Sequence, residues 1–169
     1  DCQTGVKNVF AACREKELPF ALSSANSINI GRLAPQIMYY FRSYRDLLDA
    51  GKIRLGDEVN FSVPTGNFGD ILAGYFAKLL GLPVGKLICA SNANNVLTDF
   101  IRTGTYNRLR PLLKTTSPSM DILVSSNLER LLYLLSGDTA LVAELMGRLN
   151  KEGSYPVPAD LLSKIQAEF

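Results

Sequence analysis

The chain has no histidine and no tryptophan among its 169 residues, only three cysteines, and no apolar run long enough to span a membrane. Without histidine there is no Ser-His-Asp or Cys-His relay, because the group that takes and returns a proton at neutral pH is missing. The commonest metal ligand is missing with it. Cys2, Cys13 and Cys89 are odd in number and show no Cys-x-x-Cys spacing, so no metal-ligand set and no disulfide framework is expected. Reduced thiols in a cytoplasmic protein fit this usage. The first residues carry no signal-peptide pattern. Charge says little about partners: 18 basic and 16 acidic side chains leave a net +2 with no basic run or acidic block, so neither nucleic acid nor a membrane surface is indicated.

What is present is apolar surface to bury. Residues that are 47% hydrophobic and 20% charged support one sizeable core, and residues 1–169 read as a single unit. The chain opens at Asp1 rather than at methionine and passes almost at once into a helical pattern, which reads as an internal piece of a larger protein. Val6, Val9, Phe10 and Cys13 share one helix face, and Phe20 to Ser24 reads as a short buried strand. A long helix runs from Leu33 past Leu48, with Pro35 in its first turn and Gly51 beyond its end. A strand at Val59–Val63, a helix marked by Phe68, Leu72, Tyr75, Phe76 and Leu79 and a strand at Lys86–Ala90 follow, then a short helix ending at Gly104. Such alternation predicts an α/β fold with a parallel sheet flanked by helices. Further on, Ser126 and Glu129 predict a capping box for a leucine-rich helix, two more helical stretches follow, and Gly153–Pro158 reads as an ordinary connection between them.

Two polar segments stand where open α/β sheets bind ligands. In Ser62-Val63-Pro64-Thr65-Gly66-Asn67-Phe68-Gly69-Asp70, glycines at a strand-to-helix turn let the backbone approach a ligand, and the free N–H groups of the first helical turn favour a phosphate. Turn geometry alone also accounts for such glycines. Asp70 reads as a first-turn residue that caps N–H groups and complements the helix dipole. Ser24-Ala25-Asn26-Ser27-Ile28-Asn29-Ile30-Gly31-Arg32 crowds donors before the long helix and ends in a guanidinium suited to phosphate, although Asn and Ser also serve as helix caps.

Together these segments resemble the threonine synthases of bacteria and fungi. Asp1-Cys2-Gln3, the run Ser24 to Arg32 and Pro64 to Asp70 match that family's motifs, as do Ala90-Ser91-Asn92, Asn94 to Leu97, Ser117-Pro118-Ser119-Met120-Asp121-Ile122, Ser125-Ser126-Asn127 and Glu129-Arg130-Leu131. The resemblance implies a three-layer, mainly parallel sheet of the fold-type II pyridoxal-phosphate architecture, similar to the tryptophan synthase β-subunit. It implies an enzyme that converts O-phospho-L-homoserine and water to L-threonine and phosphate, with Gly66, Asn67, Phe68 and Gly69 on the pyridoxal 5′-phosphate group and Asn26, Ser27 and Arg32 on the substrate phosphate.

None of the eight lysines stands in the family's Ser-Phe-Lys-Asp context, and its Thr-Ala-His-Pro motif is absent. No catalytic residue is therefore expected here. The remaining N- and C-terminal segments of the parent are the expected partners, and the piece alone is expected to be inactive. Two alternatives stay open: a non-catalytic threonine-synthase-like module that binds a phosphate ligand, and another fold-type II pyridoxal-phosphate lyase.

Overall fold

Val59 and Val84 begin two strands, β1 (Val59–Pro64) and β2 (Val84–Ala90), that pair in parallel with Phe61 beside Leu87 and Val63 beside Cys89. Parallel neighbours need a crossover, and helix α4 (Gly69–Leu79) supplies it. The register is irregular between Val59 and Phe61, where the Asn60 side chain accepts the Lys86 N–H at 2.6 Å. The computed structural model describes residues 2–13, 19, 20, 22 and 29–169.

The amino-terminal helices are α1 (Cys2–Cys13), α2 (Ile30–Leu33) and α3 (Ile37–Asp49). The predicted long helix is interrupted by a 3₁₀ turn at Ala34–Gln36, because Pro35 has no N–H to continue the α-helical ladder. Of the predicted strand at Phe20–Ser24, Phe20 and Leu22 are described; they lie in no strand and are 61% and 37% exposed, so that expectation fails at both. Helix α1 forms as its periodicity predicts, yet Val6 and Val9 on its apolar face are more than half exposed.

Helix α5 (Val96–Thr103) follows β2, and α6 (Leu128–Ser136), α7 (Thr139–Glu152) and α8 (Ala159–Glu168) complete the chain. Between them lies a pairing that the periodicity does not show: β3 (Thr105–Asn107) and β4 (Ser154–Pro156) form an antiparallel pair. Gly104 and Gly153 make it possible. Each ends a helix with a positive φ, 75° and 76°, and turns the chain straight into one of these strands. Tyr106 and Tyr155 sit opposite one another with rings stacked at 5.5 Å, and Phe100 meets both edge-on. Gly153–Pro158 is therefore a strand as well as a connection. The predicted capping box is also absent: α6 is capped at Asn127, whose side chain is used elsewhere.

The core is continuous from Leu33, Tyr40 and Tyr44 through Phe68, Ile71, Leu72 and Leu87 to Leu131, Leu161 and Ile165. Helices α3 and α4 pack together over the strands, while α5 and α8 contact β2. Phe169 closes the end of the chain onto Phe68 and Tyr75, with ring centroids 5.3 and 6.1 Å away. Among the described residues, no helix is long and apolar enough to cross a membrane and no cluster of metal-ligating side chains is present.

Helix α4 reaches the core through Gly74, where an added Cβ would stand 2.6 Å from the Tyr40 ring and 2.9 Å from Leu87. Alanine gains about 1 kcal/mol of helix propensity there, but overpacking costs about 1–3 kcal/mol. The Tyr40 ring cannot retreat freely, because its hydroxyl donates to Asp70 O at 2.9 Å. Gly74→Ala is expected to lower stability by a net of up to ~2 kcal/mol, read from the urea unfolding midpoint; an unchanged or raised midpoint would show that the ring yields.

Candidate functional site

Thr65 ends the parallel ladder by donating its N–H to Ala90 O at 2.8 Å, and its hydroxyl turns back to Val63 O at 2.7 Å. The chain then bends through Gly66 and Asn67 into Phe68, which sits at φ 62° as the cap residue of α4 and is the only described non-glycine residue with positive φ. A phenylalanine in this left-handed conformation is strained. Burial holds it there, since the ring is 1% exposed and packed on Phe169. Phe68 thus offers the site its main chain, and its ring belongs to the core.

The carbonyls of this turn face the protein. Gly66 O accepts the Ser125 hydroxyl at 2.6 Å, and Asn67 O accepts both the Asn127 N–H at 3.1 Å and Asn127 Nδ2 at 3.0 Å. The N–H groups face the other way. Among the described residues, those of Gly66, Asn67, Phe68 and Gly69 donate to no protein acceptor. The four residues line a cavity of about 320 Å³ whose wall also includes Arg32, Gln36, Ser119 and Met120. Four consecutive donors at a helix N-terminus suit an oxyanion. Gly66 is required by close approach as well, because a Cβ would lie 3.3 Å from Met120 Cα and 3.4 Å from Ile122 Cδ1.

Arg32 stands in the last turn of α2 on the same cavity, so the structure brings it to the glycine turn across 34 residues of sequence. Asn29 caps α2 by accepting the Gly31 N–H at 2.9 Å, which is the capping role open to that polar run. Asn26 and Ser27 lie outside the described residues. Asp70 does not cap its helix: its carboxylate meets the Tyr40 hydroxyl at 3.4 Å, and burial raises its pKa above the ordinary carboxylate range against the opposing effect of that bond. Burial likewise pushes the Cys89 thiol up to about 11, which favours its protonated form beside the turn.

The far wall depends on Asp121. Its carboxylate accepts Thr115 N–H and Oγ1, each at 2.8 Å, Asn92 Nδ2 at 2.7 Å and Asn94 Nδ2 at 3.0 Å. These bonds tie the connection after β2 to the 3₁₀ turn Pro118–Met120 that lines the cavity. Sequence reasoning assigned no role to Ser119, Asp121, Ser125 or Asn127; their only signal was membership of the Ser-Pro-Ser-Met-Asp-Ile and Ser-Ser-Asn motifs. The Thr115 N–H, followed by the side-chain donors, holds the Asp121 pKa below the ordinary carboxylate value. A depressed folded pKa contributes stability that is present above the unfolded value near 3.9 and is lost as pH falls through the folded one. Asp121→Asn is therefore expected to unfold at lower urea than the wild type at pH 7, with the gap between the two midpoints narrowing as pH falls below about 3.9. A gap that does not narrow with falling pH would mean that the carboxylate charge is not what matters.

No family model matches the chain. Threonine synthase-like 1 of Homo sapiens is 48% identical over 175 residues, which are 99% of this chain and 24% of that protein. The threonine synthase of Eremothecium gossypii is 42% identical over 179 residues, covering 100% of this chain and 34% of its own length. The crystal structure of PLP-bound threonine synthase from Brucella melitensis superposes with a TM-score of 0.88 at 44% identity, over 99% of this chain and 35% of that one. The chain thus spans between a quarter and about a third of the length of these proteins. The α/β fold expected from the resemblance, that of fold-type II pyridoxal-phosphate enzymes, is borne out, with two parallel strands of the sheet among the described residues. Nearly every residue of this chain aligns with those proteins in sequence and in backbone, and the chain belongs to the threonine synthase family.

Proposed function

We propose that residues 1–169 are one unit of a longer, cytoplasmic threonine synthase and hold the cofactor phosphate in an enzyme that converts O-phospho-L-homoserine and water to L-threonine and phosphate. The observation that carries this reading is the row of N–H groups from Gly66 to Gly69, without acceptors among the described residues, facing a cavity shared with Arg32. A phosphate monoester fits such a row because each oxygen can accept from the backbone while the helix dipole complements its charge. Gly66, Asn67, Phe68 and Gly69 would hold pyridoxal 5′-phosphate. Asn26, Ser27 and Arg32 would hold the phosphate of the substrate. When bound, pyridoxal phosphate supplies the electron sink for chemistry at the substrate carbons.

Among the described residues no lysine lines the cavity: Lys78 pairs with Glu168 at 2.6 Å, and Lys86 donates to the carbonyls of Gln166 and Ala167. The lysine that holds the cofactor covalently is assigned to the parent outside this stretch. The remaining parent segments are the proposed partners, and the exposed Val6, Val9, Ile30, Met38 and Tyr39 give them apolar surface to cover. A second reading, a non-catalytic phosphate-binding relative, draws support from the 48% identity to a protein named threonine synthase-like 1, above the 42% to one named threonine synthase. A lysine in the parent's Ser-Phe-Lys-Asp context favours the enzyme, and its replacement favours the module.

Titration of the ¹⁵N-labelled chain with inorganic phosphate should shift the amide signals of Gly66 to Gly69, and unmoved signals would remove the turn from consideration as a phosphate site. In the parent, Arg32→Ala is expected to cost about 1.5–3 kcal/mol, or roughly ten- to a hundredfold in kcat/KM for phosphohomoserine, with little change in pyridoxal-phosphate affinity. Unchanged kinetics would take Arg32 out of the substrate site.

A further inference from the structure

Ser125-Ser126-Asn127 takes no part in the cavity wall, yet it grips the main chain that does. Gly66 C=O lies in the same peptide unit as the Asn67 N–H, and Asn67 C=O in the same unit as the Phe68 N–H. In a trans peptide the two groups point in opposite directions. Drawing both carbonyls toward Ser125 and Asn127 therefore aims both N–H groups into the cavity. The bonds also polarise the amides, since a donor on the carbonyl strengthens the N–H of the same unit. Asn127 is fully buried at 0% exposure, so no water competes with it.

Behind Asn127 stands Arg130, whose Nη1 donates to Asn127 Oδ1. A guanidinium on the amide oxygen makes Nδ2 a stronger donor to Asn67 O. The effect of a positive charge thus reaches the Phe68 N–H through one side chain and one peptide unit.

We infer that Ser125 and Asn127 are positioning residues of the anion cradle, with Arg130 acting through Asn127, so that the cradle's donors are aimed and strengthened from behind. This rests on the reading of the Gly66 to Gly69 turn as a phosphate site. It gives a task to a motif that otherwise has only resemblance to explain it.

The test uses the ¹⁵N-labelled chain with inorganic phosphate as the probe. Before phosphate is added, Ser125→Ala should move the Asn67 amide proton upfield and Asn127→Asp the Phe68 amide proton. Each variant should then bind phosphate about tenfold more weakly than the wild type, and Ser125→Thr, which keeps the hydroxyl, should restore both readouts. Should Asn127→Asp fail to fold, Ser125→Ala, which removes a single hydroxyl, carries the test. Folded variants with wild-type amide positions and wild-type phosphate affinity would overturn the inference. A wild-type chain that ignores phosphate, while Ser125→Ala still moves the Asn67 amide, would overturn the phosphate reading and leave the positioning intact.

Discussion

Between the end of β1 and the start of α4 the chain turns within a few residues, and Phe68 accepts a left-handed backbone to let it do so. That conformation is unfavourable for a side chain with a Cβ, so it persists only where neighbours over-determine it. Two sets of neighbours do. The Phe68 ring is enclosed by the core and by Phe169, and the carbonyls just before it are bonded to Ser125 and Asn127. The N–H groups on the other side, without acceptors among the described residues, follow from this arrangement.

Distant parts of the fold converge on that turn for packing reasons. Phe169, the last residue, touches both Phe68 and Tyr75, and Lys78 meets Glu168 beside it, so α8 must be seated before the turn is fully enclosed. Leu162 of α8 in turn lies against Gly104, where β3 begins, next to the pairing in which Tyr106 and Tyr155 stack. The Tyr106 hydroxyl accepts the Ser125 N–H at 2.9 Å and donates to Leu123 O at 3.0 Å, which fixes the segment leading to Asn127. An aromatic pair in a minor sheet thereby helps to place the two residues that grip the glycine turn. The Asp121 cluster supplies the opposite wall by satisfying several donors with one carboxylate.

Apolar side chains are exposed in several places among the described residues, at Leu55, Leu80 and Leu109 as well as on the amino-terminal helices. Helix α1 has the periodicity of a buried helix and presents Val6 and Val9 to solvent, and α2 and α3 do the same with Ile30, Met38 and Tyr39. Burial of such side chains is worth roughly 1.5–3 kcal/mol each. These faces agree with a chain that spans only a quarter to a third of the length of its relatives.

Local chemistry was enough to read much of this from the amino-acid order. The helices around Leu72, Phe100 and Leu131 and both parallel strands follow from periodicity and from glycine or proline at their ends, because those signals act within one turn or one pleat. The turn from Gly66 to Gly69 was legible as a place where backbone donors are free, since glycine between strand and helix has that meaning wherever it occurs. Tertiary structure decided what depends on residues far apart. Three-residue strands are too short to show a period, so the pairing of Tyr106 with Tyr155 exists only because packing brings the segments that follow Gly104 and Gly153 alongside one another in opposite directions. The apparent capping box failed for a related reason: Asn127, not Ser126, precedes α6, and its Nδ2 is bonded to Asn67 O, 60 residues away, while its Oδ1 accepts from Arg130 Nη1. Which way the glycine turn faces was settled by those long-range bonds, because a peptide plane free of partners has no preferred side.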